Sequence, residues 1–141
     1  MREQRNINNP VEILLNKYNI PQSSLENIQV SPKIVAALAH ISHTHSEIIA
    51  SSLFGSRVDP KKQVTSQSDI DFLIRLDDSY DDCWGEICYD IILNLERVIG
   101  EYKIEYIDMC VYNNDNEDPL FKKHVLSQSF MLKGTKNELK K

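Results

Sequence analysis

Ile34, Leu38 and Ile41 fall on one face of a helix. Trp84, Ile87, Cys88, Ile91, Ile92, Leu95 and Ile99 also recur every three or four residues. These patterns predict helices over about 32–45 and 80–99, the second stopping at Gly100. A capping side chain followed by proline marks helix starts at Asn9-Pro10, Ser31-Pro32 and Asp118-Pro119. They add helices near 10–18 and 119–128, with a connector over 19–30. Dense β-forming runs predict strands at IIASSLF (48–54), DIDFLIRL (69–76), KIEYIDMCVY (103–112) and FMLKG (130–134). The order is helix, helix, strand, strand, helix, strand, helix, strand. It implies an α/β (α+β) fold with one sheet of about four strands and helices mainly on one face.

The second strand breaks its own pattern. Asp69 and Asp71 are two residues apart, so in a strand they share a face, while Ile70, Phe72 and Ile74 point the other way. Two adjacent carboxylates repel, and burying them unpaired costs several kcal/mol or forces a proton onto one. A hard divalent cation such as Mg²⁺ removes that conflict and keeps positions open for phosphate oxygens. Asp108 stands in the third strand among apolar neighbours. If that strand lies beside the second, three carboxylates can hold two ions about 3.5–4 Å apart, the arrangement for in-line phosphoryl displacement. Gly55-Ser56 closes the first strand, where glycine admits a phosphate close to the backbone and Ser56 can donate to it. Arg57, Lys61 and Lys62 follow closely enough to screen a leaving pyrophosphate.

Taken together, Gly55-Ser56-Arg57, Ser68-Asp69-Ile70-Asp71 and Asp108 resemble the signature of the DNA polymerase β-like nucleotidyltransferase superfamily, and within it the minimal, antitoxin-type branch. The resemblance covers residues 46–134 and implies the polymerase β-like palm, here a mixed sheet. It implies two Mg²⁺ ions on Asp69, Asp71 and Asp108, with Asp108 as general base. It implies nucleotide contacts from Gly55, Ser56, Arg57 and Ser68. ATP would be the donor. The acceptor would be a tyrosine of a HEPN-type RNase toxin, silenced by AMP addition. The loop from Arg57 to Ser68 departs from the minimal pattern by its length and by lacking glycine. A non-catalytic toxin-binding antitoxin and an aminoglycoside-type small-molecule transferase are the alternatives.

Composition narrows these readings further. The 141 residues are 41% hydrophobic and 26% charged, which fits one globular domain. The division anticipated is an N-terminal helical segment over 1–45, a catalytic domain over 46–134 and a solvated basic tail over 135–141. No apolar run nears the roughly 18 residues of a membrane span, so no membrane partner is expected. A net charge of −5 disfavours nucleic acid as a partner. The start MREQRNINNP has no apolar signal core, and three cysteines without zinc spacing suit reduced thiols, so a cytoplasmic protein is expected. His40, His43 and His45 lack a companion ligand and read as a solvated helix end. Trp84 reads as core, Tyr106 as strand packing with a possible place in the nucleotide pocket, and the acids after Leu76 as caps for the long helix.

Overall fold

The computed structural model describes residues 10–59, 61–65, 68–102, 107–112 and 128–140. Helix α1 spans Pro10–Lys17 and α2 Pro32–Thr44. Strand β1 is Ile48–Phe54, β2 Ile70–Leu76, β3 Ile107–Tyr112 and β4 Phe130–Lys133. Helix α3, Trp84–Tyr102, links β2 to β3, and α4, Lys136–Lys140, follows β4. The helix expected at 119–128, the caps at Asn9 and Asp118, and Tyr106 lie outside the described residues. Ser31 caps α2 as anticipated, its Oγ accepting the Ile34 N–H at 3.4 Å.

The four strands form one mixed sheet in the order β3-β2-β1-β4. β1 runs antiparallel to both β2 and β4, while β2 and β3 are parallel. A parallel pair needs a crossover, and α3 supplies it. The main core lies between the sheet and the helices. Val35 and Leu38 of α2 and Ile91 and Leu95 of α3 pack there with Phe72 and Ile74 of β2 and Ile107 of β3. Apolar alternation along β2 sends Ile70, Phe72 and Ile74 into this layer and Asp71 out of it.

The opposite face carries a small cluster of Ala50, Leu73 and Leu139, with Phe54, Cys110 and Met131 beside it. Leu139 reaches it from α4, where Thr135 and Glu138 exchange hydrogen bonds (2.9 and 3.1 Å) in a capping box. The tail expected to be solvated is thus anchored by one buried leucine.

Two expectations for the long helix are corrected. The first residues after β2 form a 3-10 segment, Asp78–Cys83, because Asp77 Oδ1 accepts the Ser79 N–H at 3.0 Å and nucleates a tighter turn. Asp77 therefore caps that segment and not α3 itself. Trp84 is 49% exposed and Ile92 41% exposed. Ile92 sits about 100° around the helix from the buried Ile91, and Trp84 sits where the 3-10 segment joins, so periodicity failed at both. The buried stripe is Ile87, Cys88, Ile91, Leu95 and Val98.

Candidate functional site

Three elements meet at the end of the sheet where β1 stops and β2 and β3 begin. Phe54, the last residue of β1, is the register partner of Asp71. Gly55 follows with φ 82° and ψ −158°, a backbone region open only to glycine. A methyl group built on Gly55 would overlap Asp71 Oδ2 and lie 3.0 Å from its Cγ. The residue is glycine because a carboxylate lies against it, a different reason from the phosphate approach read from sequence. Ser56 opens a 3-10 turn, Ser56–Val58, and is half-buried.

Asp71 and Asp108 are direct register partners on adjacent parallel strands, so their side chains share the face away from the helices. Asp69 is placed differently from expectation. It precedes β2 and is exposed, because Ser68 ends a turn whose Thr65 N–H donates to Ser68 Oγ at 3.0 Å. Partial burial, then Asp108, then Asp69 push the Asp71 carboxyl up from 3.8 to about 6. The same two strand acids, after burial, raise the Cys110 thiol on this face. The donors are carboxylates in mutual repulsion beside a glycine-made recess, and that chemistry fits a hard divalent cation. Among the described residues, no three acidic, histidine or cysteine side chains already close around a point. Asp69, outside the ladder, is the donor the sheet does not hold.

The sequence that builds this arrangement matches a known family. The family model described as polymerase beta, nucleotidyltransferase matches residues 36–138, well over half of the chain. The chain belongs to the polymerase beta nucleotidyltransferase family. Its reaction class is therefore nucleotidyl transfer, and the family typically uses a nucleoside triphosphate and a divalent metal. A comparison with curated proteins found no match. Among the described residues, no helix is long and apolar enough to cross a membrane.

Within this nucleotidyltransferase, Arg57 is committed to the backbone. Its Nε and Nη2 donate to Ser68 O at 3.0 and 2.7 Å, Nη2 also reaches Thr65 O at 3.3 Å, and Nη1 donates to Gln29 O at 2.9 Å. Gln29 N–H donates in return to Arg57 O at 2.7 Å. The guanidinium fork thus ties the loop before Asp69 to the connector after α1. Five fixed donors suit such a carbonyl cluster, but the loop's sequence carries no sign of it. Ser68 sits half-buried at the loop's end, its hydroxyl accepting from Thr65. Lys61 and Lys62 are exposed. Sequence reasoning passed over Asp59, which is 8% exposed and accepts the Lys61 N–H at 2.9 Å. Asp before Pro is a turn signal, and that would have found it.

The histidines make structural contacts: His40 is exposed, as a solvated helix end would be, while His43 and His45 are half-buried. Tyr18 of α1's C-terminal turn bonds His40 Nδ1 at 2.8 Å and stacks on His43 with centroids 4.2 Å apart. His43 Nε2 meets Leu132 O at 3.3 Å, and burial lowers its pKa. His45 Nε2 meets Asn94 Nδ2 at 3.1 Å. These contacts pin α1, α3 and β4 to α2.

Proposed function

We propose that this nucleotidyltransferase moves AMP from ATP to a hydroxyl, with Mg²⁺ held by Asp69, Asp71 and Asp108. The observation carrying this reading is the in-register pair of Asp71 and Asp108 beside the Gly55 recess. Two bound divalent ions would neutralise the triphosphate and ease ionisation of the attacking hydroxyl. Asp108 accepts the acceptor's proton as general base. The freed oxygen bonds to the α-phosphorus, the bond from that phosphorus to the bridging oxygen breaks, and pyrophosphate leaves. Ser56 donates to a phosphate oxygen at the end of β1. Arg57 acts by fixing Ser68, and through it the approach to Asp69. The acceptor we favour is a tyrosine of a HEPN-type toxin, which the resemblance of Gly55-Ser56-Arg57 and Ser68-Asp69-Ile70-Asp71 to the minimal, antitoxin-type branch supports.

Incubating the chain with ATP, Mg²⁺ and the protein encoded beside it, then weighing both intact, tests this reading. An AMP adduct on the neighbour that disappears with Asp71→Asn and Asp108→Asn supports it. The engagement of Arg57 in loop carbonyls favours a second reading, a toxin binder that has left catalysis. Neutralisation without an adduct, unaffected by either substitution, would establish that reading instead.

A further inference from the structure

The small cluster on the acid-bearing face joins Ala50, Phe54, Leu73, Cys110 and Met131 of the sheet to Leu139 of α4. Its sheet members stand around the acids. Leu73 follows Asp71 by two residues and Cys110 follows Asp108 by two, so each shares its acid's face, roughly 7 Å further along the strand. Leu73 and Cys110 are register partners of each other, and Phe54 is the partner of Asp71. Leu139, 1% exposed, is the one side chain that α4 buries among the described residues. The chain before it is shaped to deliver it there. Gly134 turns back from β4 with φ 71°, and a methyl group on it would stand 2.7 Å from Ile49 O. The capping box of Thr135 and Glu138 then fixes the first turn of α4. Closing this face carries a cost. Ser52, register partner of Leu73 and Met131, is fully buried, and its hydroxyl has no hydrogen-bond partner among the described residues.

From this placement we infer that Leu139 is a positioning residue for nucleotidyl transfer, closing the inner side of the acid pair so that the Asp71 carboxylate stays turned onto Gly55, beside Asp108. The inference rests on the reading of these two acids as metal ligands. The β2–β3 ladder fixes their backbones, not their side-chain torsions. The carboxylates repel, and a repelled group moves into whatever room and water lie beside it. Toward the end of the sheet, Asp71 Oδ2 already lies against Gly55. In the other direction stand Leu73 and Cys110, and Leu139 packs on their cluster. Shortening the leucine leaves a hollow there that the surroundings fill only in part. A carboxylate that swings toward it leaves the place where the ion must sit. Lost support around metal ligands costs about 10- to 100-fold in affinity or activity.

Leu139→Ala tests this in the full chain, with Leu132→Ala as its control. Leu132 is equally well buried, but on the helix side of the sheet. Both variants should lose Tm. Measured well below either Tm, only Leu139→Ala should weaken Mg²⁺ binding in calorimetry and slow AMP transfer to the protein encoded beside it, each by about 10-fold or more. Leu139→Met, which refills the space, should restore both. Equal losses in the two alanine variants, or unchanged Mg²⁺ affinity in Leu139→Ala, overturn the inference. Should Leu139→Ala misfold by circular dichroism, Leu139→Val and Leu132→Val take their places, and the same difference supports the inference while its absence overturns it. A wild type that binds Mg²⁺ but transfers no AMP refutes the reading of the reaction alone, and the affinities then decide the inference. A wild type that binds no Mg²⁺ overturns both.

Discussion

Gly55→Ala tests the central geometry with a single methyl group. The backbone at φ 82° and ψ −158° costs a non-glycine residue about 1–3 kcal/mol. The methyl also collides with the Asp71 carboxylate, which must leave its rotamer at a further cost of about 1 kcal/mol. Together these come to about 2–4 kcal/mol, a large part of the ~10 kcal/mol usual for a domain of this size. The chain should still fold, with Tm lowered by roughly 5–15 °C. Nucleotidyl transfer should fall further than stability does, because a shift of about 1 Å in a positioned group costs ~100-fold in rate. The two contributions separate in a double-mutant cycle. In an Asp71→Ala background the collision is gone, so Gly55→Ala should cost about 1 kcal/mol less in urea unfolding. Equal costs in both backgrounds, or an alanine variant with unchanged Tm and rate, would refute the packing of this carboxylate on this glycine.

Other consequences follow from the same contacts. The folded-state pKa of Asp71, about 6, lies above its ordinary 3.8, so the folded state holds the proton more tightly and metal-free stability drains away as pH rises between those values. Asp71→Asn should therefore stabilise the metal-free chain at pH 7.5 by about 1 kcal/mol, allowing for solvent screening. Millimolar Mg²⁺ should raise the wild-type Tm at that pH and not the variant's, which thermal scans with and without the ion will show. Arg57→Lys should cost about 1–2 kcal/mol in urea unfolding and lower transfer as much as Arg57→Ala does, since one ammonium cannot serve carbonyls of Ser68, Thr65 and Gln29. Preserved stability in Arg57→Lys would return Arg57 to a phosphate role. Gly85→Ala should add up to about 1 kcal/mol, the opposite sign to Gly55→Ala, because a methyl group there meets nothing within 4 Å.

The parts of this molecule that were legible in sequence are those where one periodicity acts alone. β2 alternates over Ile70, Asp71, Phe72, Leu73 and Ile74, and that alternation foretold both the core face and the acid at its back. Asp108 was legible for the same reason. Asp69 was misplaced by one residue because strand ends are set by turn bonds, here those of Thr65 and Ser68, and not by hydrophobicity. Ile92 was assigned to the core by a spacing rule that tolerates a residue at the edge of the buried stripe, and Trp84, which keeps the stripe's spacing, is exposed because the helix begins there. The role of Arg57 was out of reach, since its acceptors are backbone carbonyls and carbonyls leave no trace in side-chain identity.

The pairing of two like charges raises the question of what holds them together. Nothing between Asp71 and Asp108 attracts while both are ionised, and Asp108 raises the cost of charging Asp71. The attraction lies on the far face. Ile70 opposes Ile107, Phe72 opposes Met109 and Ile74 opposes Val111, each pair beneath the helices. Slipping β3 by one residue would carry Asp108 into that layer and expel its apolar partners, at several kcal/mol for the buried charge alone. The hydrophobic register thus compresses the carboxylates against their own repulsion, and Gly55 leaves them room on the third side. A cation entering there would lower an energy the core has already imposed. On this view the apolar residues of β2 and β3 act as positioning residues for the acids, although none of them faces the site.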